Sequence, residues 1–281
     1  MHWCGRSEEV ESDAHGYFFR CLAPGAQSSG SVWDRSRVEL LSPAQDTPVD
    51  ASGDILLAPP QARRVVVSDI DDTVIFTGVA NKLAMLWRLF VHGVEQRVPF
   101  PGIAPLYRGL HGGPGGAEHN PMIYLSRSPW TLYPTLEEFF QRHGIPVGPV
   151  LLLRDWGITL RHPFPRRARD HKRDLLERVA EVYADLPLLL VGDSGQLDPE
   201  LYAEFARRRP GRVAGIGIRE IAPNASRRRR LEDLQQEMYG LGIPWIAADS
   251  TLRLADAMAE RGWIGADSLN GVRRHFAERI P

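Results

Sequence analysis

The hydrophobic pattern of the chain changes character near residue 62. Beyond that point, unbroken apolar runs at 65–68, 122–125, 150–153, 186–191, 213–218 and 243–247 are too short for helices and show little polar alternation. They predict strands buried on both faces of a parallel sheet. Segments with helical spacing lie between several of them. After Ser128, for example, Leu132, Leu136, Phe139 and Phe140 share one face; Ser128 is placed to cap the helix, Pro129 suits its first turn and Gly144 follows its end. Strands alternating with helices predict an α/β doubly wound parallel sheet over residues 61–265, with its site beyond the carboxyl ends of the strands.

The first sixty residues read differently. Short β-type runs at 16–21 and 32–41 are separated by Gly, Ser, Pro and Asp, and Pro59-Pro60 closes the segment, which predicts a β-rich N-terminal appendage over 1–60. Between the first two strands of the main domain, residues 76–120 are too many for a simple loop and predict a small helical cap insertion. Within it Val79, Leu83, Leu86, Trp87, Phe90 and Val91 form a broad apolar face, which either packs on the main domain or meets lipid. Residues 266–281 predict a C-terminal helical tail.

Composition adds mainly exclusions. With 43% hydrophobic and 25% charged residues the chain can bury a large core, and a net charge of −1 gives no overall reason to gather nucleic acid. Two cysteines, Cys4 and Cys21, have the spacing of neither a redox pair nor a zinc site. No stretch reads as a secretory signal or a membrane span, so a cytoplasmic location is the expectation.

The chemistry concentrates where predicted strands end. Asp69-Ile70-Asp71-Asp72-Thr73 follows the run 65–68, and residues two apart on a strand point the same way, so Asp69 and Asp71 can share a site. Two such carboxylates repel unless a cation sits beside them, and a hard divalent ion fits oxygen ligands. Gly192-Asp193-Ser194-Gly195-Gln196-Leu197-Asp198 ends a second run, and Asp193 can complete a metal site. Asp198 either supports that shell or caps the next helix. Tyr124-Leu125-Ser126-Arg127-Ser128-Pro129-Trp130 puts the Ser126 hydroxyl beside a helix amino terminus, where a phosphate can be received; Arg127 reaches an anion or only solvates the surface. Lys172, in a basic stretch before the run 186–191, is placed to neutralise phosphate and nucleophile.

Taken in order, Asp69 to Thr73, Ser126, Lys172 and Asp193 resemble the four motifs of the haloacid dehalogenase superfamily. More narrowly, Ser68 to Val74, Tyr124 to Tyr133 and Gly192 to Tyr202 resemble the actin-patch-associated phosphatidate phosphatases and their bacterial relatives, over about 62–220. Thr131 departs from the asparagine expected in relatives, and the β-rich amino-terminal region is shorter than theirs. The resemblance implies a magnesium-dependent phosphatase with Asp69 as nucleophile, Asp71 as acid then base, and Ser126 and Lys172 holding phosphoryl oxygens. It also implies Mg2+ on Asp69, Asp193 and the backbone carbonyl of Asp71. The substrate it implies is a phosphomonoester, phosphatidate in the nearest reading. Basic clusters at 166–169, 207–209 and 227–230 add possible peripheral contact with an anionic membrane to the expectation. A soluble phosphomonoester, a non-catalytic metal-dependent binding module and a glycosyltransferase using Asp-x-Asp are the rival readings.

Overall fold

A computed structural model describes residues 1–13, 16–18, 32–43, 46–70, 73–74, 99–153, 168–221 and 224–277; at 127–129, 153 and 168–170 only the backbone path is described. The chain divides into two compact units, Met1–Pro60 and Gln61–Pro281.

The first unit holds an antiparallel sheet of β1 (His2–Trp3), β2 (Arg6–Ser7), β3 (Trp33–Glu39) and β4 (Asp50–Leu56), in the order β2-β1-β3-β4. Cys4 and Gly5, both with positive φ, make the tight turn between β1 and β2. Across β3 and β4, Arg35 pairs with Asp54 directly opposite it and Arg37 pairs with Asp50 on the diagonal, at 3.3 and 3.0 Å. These exposed pairs help set the register and add little stability. The β run expected at 16–21 is a bend where it is described. Gly16 takes φ 80°, and the Asp13 side chain and carbonyl accept from the amides of Tyr17 and Gly16, so local hydrogen bonds displace a ladder.

In the second unit six parallel strands form one sheet. They are β5 (Val65–Asp69), β6 (Met122–Pro129), β7 (Val150–Leu153), β8 (Leu188–Asp193), β9 (Val213–Arg219) and β10 (Trp245–Ala248), in the order β10-β9-β8-β5-β6-β7. The period-two geometry of a strand sorts their side chains. Val66, Met122, Tyr124, Leu189, Val191 and Ile246 enter a core with helices α1 (Ile103–Gly112), α2 (Tyr133–His143), α6 (Thr251–Glu260) and α7 (Ala266–Ala277). The alternate residues Val65, Val67, Ile123, Leu188 and Leu190 are buried on the opposite face, where α3 (Ala168–Val182), α4 (Asp198–Arg208) and α5 (Ala225–Gly240) pack. Both faces are covered, which is why the strands read as unbroken apolar runs. The winding reverses between β5 and β8, so the crevice of this sheet opens at their carboxyl ends.

Three expectations are adjusted. First, α2 begins at Tyr133, not after Ser128: β6 runs on to Pro129, which pairs with Leu153 beyond a register shift, and Pro134 occupies the helix's first turn. A residue preceding proline disfavours helical angles, so Ser128 stays extended. Gly144 does end the helix, at φ 63°. Second, the insertion expected to run to 120 gives way to core by Ile103, since Ile103, Leu106, Tyr107 and Leu110 of α1 are all buried; the apolar face at 79–91 lies outside the described residues. Third, residues 266–277 are no separate tail. Val272 of α7 is fully buried, and α7 packs on α1.

Candidate active site

Two neighbouring central strands deliver the first carboxylates. Ser68 of β5 lies level with Val191 of β8, so Asp69 and Asp193 come out at the same end, one step apart in register. Both are fully buried. The end of β5 is pinned from the core side: Tyr107 donates to Ser68 Oγ at 2.7 Å, and that hydroxyl donates to the Asp69 carbonyl at 2.7 Å. Ser126, also fully buried, follows Leu125, the residue paired with Asp69 across the β5–β6 ladder.

Helices on the α3–α4 face complete the cluster. Lys172, near the start of α3, puts Nζ 2.7 Å from Asp69 Oδ1 and 2.7 Å from Asp198 Oδ1. Asp198 begins α4 yet forms no side-chain cap there; Leu197 holds the cap position, and the Asp198 side chain points inward instead. Of the two roles left open by its position in the sequence, support of the carboxylate cluster is the one its contacts favour. Gly192 makes room for it, since a Cβ there would lie 2.7 Å from Asp198 Oδ2 and 3.0 Å from Tyr202 Cε2.

The loop after β8 folds back over Asp193. Its Oδ1 accepts from the amides of Gly195 at 2.7 Å and Gln196 at 2.9 Å. The Gln196 carboxamide then donates to Asp69 Oδ2 at 2.9 Å and to Asp193 Oδ2 at 3.0 Å, so one nitrogen joins the two strands' carboxylates.

The charges do not balance. Asp69, Asp193 and Asp198 offer oxygens all within 4.8 Å of one another, and Lys172 is the single cation joined to them among the described residues. Burial, with Asp198 next in importance, pushes the Asp193 carboxyl up to about 6. Burial opposes the charge of Lys172, but Asp198 and Asp69 together outweigh it and hold the ammonium above its ordinary range. Three buried carboxylates against one ammonium fit a hard divalent cation, and an all-oxygen donor set suits magnesium-type ions better than zinc.

Of the residues singled out in the sequence, Asp69, Ser126, Lys172 and Asp193 sit at this one end of the sheet. Asp71 lies outside the described residues, as does the side chain of Arg127. Gln196 and Arg219 were not foreseen. Arg219, at the end of β9 and level with Asp193, is buried; it donates to Thr251 Oγ1 and lies 3.8 Å from the centre of the Phe100 ring. Its Nε has no hydrogen-bond partner among the described residues. Gln196 could have been suspected from its place three residues after Asp193 in a glycine-containing loop; nothing local marks Arg219.

Residues 64–220 match the family described as "Phosphatidate phosphatase APP1, catalytic domain". Among curated proteins, the chain is 29% identical over 157 residues to an uncharacterized protein of Schizosaccharomyces pombe, covering 56% of this chain and 25% of that protein. It is 28% identical over 184 residues to "Phosphatidate phosphatase APP1" of Saccharomyces cerevisiae, covering 62% of this chain and 30% of that one. The chain thus spans less than a third of the length of these relatives. No solved structure matches.

Proposed function

Because the chain belongs to the family of the phosphatidate phosphatase APP1 catalytic domain, we propose that it is a phosphomonoester hydrolase of the haloacid dehalogenase type with Asp69 as its nucleophile. One observation carries the reading. Asp69 ends a central strand with both carboxylate oxygens engaged, Oδ1 by Lys172 and Oδ2 by Gln196, within a cluster of buried acids. That fixes the side chain's orientation and leaves it beside the charge needed to bring an anion close.

In this mechanism an Asp69 oxygen attacks phosphorus and the bond from phosphorus to the alcohol oxygen breaks, leaving an aspartyl-phosphate. Asp71 gives its proton to the departing alkoxide. It then takes a proton from the water that attacks the aspartyl-phosphate, releasing inorganic phosphate and restoring Asp69; such proton transfers contribute roughly 10²- to 10⁴-fold. Lys172 offsets charge at Asp69 and, with Ser126, holds phosphoryl oxygens. Asp69, Asp193 and the backbone carbonyl of Asp71 would hold Mg2+, with Asp198 beside them. When bound, the ion supplies positive charge against an anionic nucleophile meeting an anionic phosphate.

Phosphatidate is the substrate this reading favours. Exposed apolar side chains, Trp130, Leu197 and Ile221, follow the ends of β6, β8 and β9, on the same side of the sheet as Asp69. They support approach to a lipid surface from the end of the sheet that bears the site. The basic clusters contribute less than their number suggests. Arg207 pairs with Glu237, Arg208 and Arg209 pair with Glu177, and Arg227 and Arg230 pair with Glu200, which among the described residues leaves Arg228 and Arg229 of α5 for anionic headgroups. The cluster at 166–169 is not described at the side-chain level.

The test is phosphate release from phosphatidate micelles and from soluble phosphomonoesters, with magnesium or chelator, comparing wild type with Asp69→Asn. Magnesium-dependent release that Asp69→Asn abolishes is expected, with phosphatidate preferred. Release from soluble esters alone discards the lipid substrate; no release from any ester leaves the binding module as the better reading. Arg228→Gln/Arg229→Gln is expected to weaken binding to anionic vesicles, and unchanged binding removes the membrane contact.

A further inference from the structure

We infer that Arg227 is a positioning residue for the site. From α5 it holds the loop 194–196 closed over Asp193, and so aims the Gln196 carboxamide at Asp69 and Asp193. Position 227 lies outside the family match, which ends at 220, and the sequence offers it only as one of four consecutive arginines.

The geometry is that of a clamp. Arg227 Nε donates to the Ser194 carbonyl at 3.0 Å and Nη2 donates to the Gln196 carbonyl at 2.7 Å. The other edge of the guanidinium meets Glu200 of α4, with Nη1 on Oε1 and Nη2 at 3.1 Å from Oε2. A planar fork with fixed donors can hold two carbonyls and a carboxylate together, which a lysine cannot reproduce. The clamp's own position is fixed as well: Asn224 Oδ1 caps α5 by accepting from the Arg227 amide at 2.8 Å. Ser194 is tied down on its other side, where Oγ accepts from the Ile221 amide and its own amide donates to the Arg219 carbonyl.

The consequence reaches the reacting centre through one residue. The Gln196 carbonyl is held by Arg227, its amide by Asp193 Oδ1 and its side chain by Asp69 and Asp193. Rotation of the 194–196 backbone would therefore move the carboxamide that joins the two strand-end carboxylates. Release of the loop should weaken cation binding, because the carboxylates then lose their fixed spacing, while contacts between substrate and the rest of the site stay as they were. Only the activity arm of this inference rests on the proposed phosphatase reading.

The experiment is calorimetric titration of Mg2+ into wild type, Arg227→Gln, Arg227→Lys, Glu200→Gln and Gln196→Ala, with circular dichroism to verify folding. Phosphate release at saturating Mg2+ is measured in parallel. Arg227→Gln is expected to weaken Mg2+ binding about tenfold, with Arg227→Lys nearly as weak despite its charge. The KM for substrate at saturating Mg2+ should be unchanged. Since Arg227 acts through Gln196, an Arg227→Gln/Gln196→Ala double variant titrated alongside should be no weaker than the weaker of its two single variants. Wild-type affinity in folded Arg227→Lys, or effects of Arg227 and Gln196 that simply add, would overturn the inference, as would a wild-type chain that binds no Mg2+. A wild type that binds Mg2+ but releases no phosphate defeats the phosphatase reading alone, and the titrations still decide this one.

Discussion

Asp193→Asn should stabilise the metal-free protein at alkaline pH while removing a ligand for the cation. Asp193 is held near 6 in the folded chain against an ordinary 3.8. The folded state thus binds the proton more tightly than the unfolded one. Stability is greatest below about pH 4 on this account and is lost as pH rises through about 6. At pH 8 the ionised Asp193 carries a burden of about 3 kcal/mol, which asparagine removes. Asparagine can keep an oxygen toward the amides of Gly195 and Gln196, but its NH2 then faces the Gln196 donor that now sits 3.0 Å from Asp193 Oδ2. That mismatch costs about 1 kcal/mol, leaving a net gain of about 2 kcal/mol at pH 8. For a unit of this size the gain is a rise of about 4–8 °C in melting temperature. Scanning calorimetry in chelator at pH 8 and at pH 5 measures it. The advantage should shrink to less than about 1 kcal/mol at pH 5, and Mg2+ at pH 8 should favour wild type. A variant that is destabilised in chelator equally at both pH values would refute the charge argument.

Other perturbations probe the same balance from different sides. Lys172→Met strands two carboxylates without their ammonium and should cost about 3–5 kcal/mol, a fall of about 6–20 °C by calorimetry in chelator, part of which Mg2+ restores. Gly192→Ala forces a Cβ to within 2.7 Å of Asp198 Oδ2 and 2.8 Å of Asp198 Cβ; chemical denaturation should show a loss of about 1–3 kcal/mol, and phosphate release should fall with it. Inorganic phosphate should bind in Mg2+ and not in chelator when followed by calorimetric titration, because a dianion otherwise meets a cluster that is already negative.

How much of this was legible depends on where each signal was stored. The six strands were, since burial on both faces writes itself as unbroken apolar residues, and so were the acids at the strand ends, which follow those runs directly. The start of α2 was not: Ser128-Pro129 looks like a cap and a first turn, yet the restriction that proline places on Ser128 extends β6, and Pro134 was the proline that mattered. The bend at Gly16 was hidden because Tyr17 and Phe18 look like strand residues while the deciding group is the carboxylate of Asp13. Arg227 was read only as part of a charge run, because its partners lie 27 to 33 residues away and no periodicity connects them.

The two faces of the sheet serve the site unequally, and this bears on how substitutions should be sorted. On the side of α1, α2, α6 and α7, the Tyr107 hydroxyl on Ser68 steadies the end of β5, and Thr251 of α6 accepts from Arg219 beside Asp193. The opposite side sends Lys172 from α3, Asp198 from α4 and Arg227 from α5, one charged group from each helix. Each is tied to another: Lys172 to Asp198 directly, and Arg227 to α4 through Glu200. These helices are therefore joined by charge as well as by packing. A core substitution on the α1 side changes stability and leaves the charge balance alone, whereas a shift of α4 by even a fraction of an ångström moves Asp198 and Glu200 together. Substitutions beneath α4, at Leu201 or Phe205, both fully buried, should therefore alter Mg2+ affinity out of proportion to the stability they remove; equal-cost substitutions at Leu106 or Leu110 on the other face are the comparison that separates the two effects.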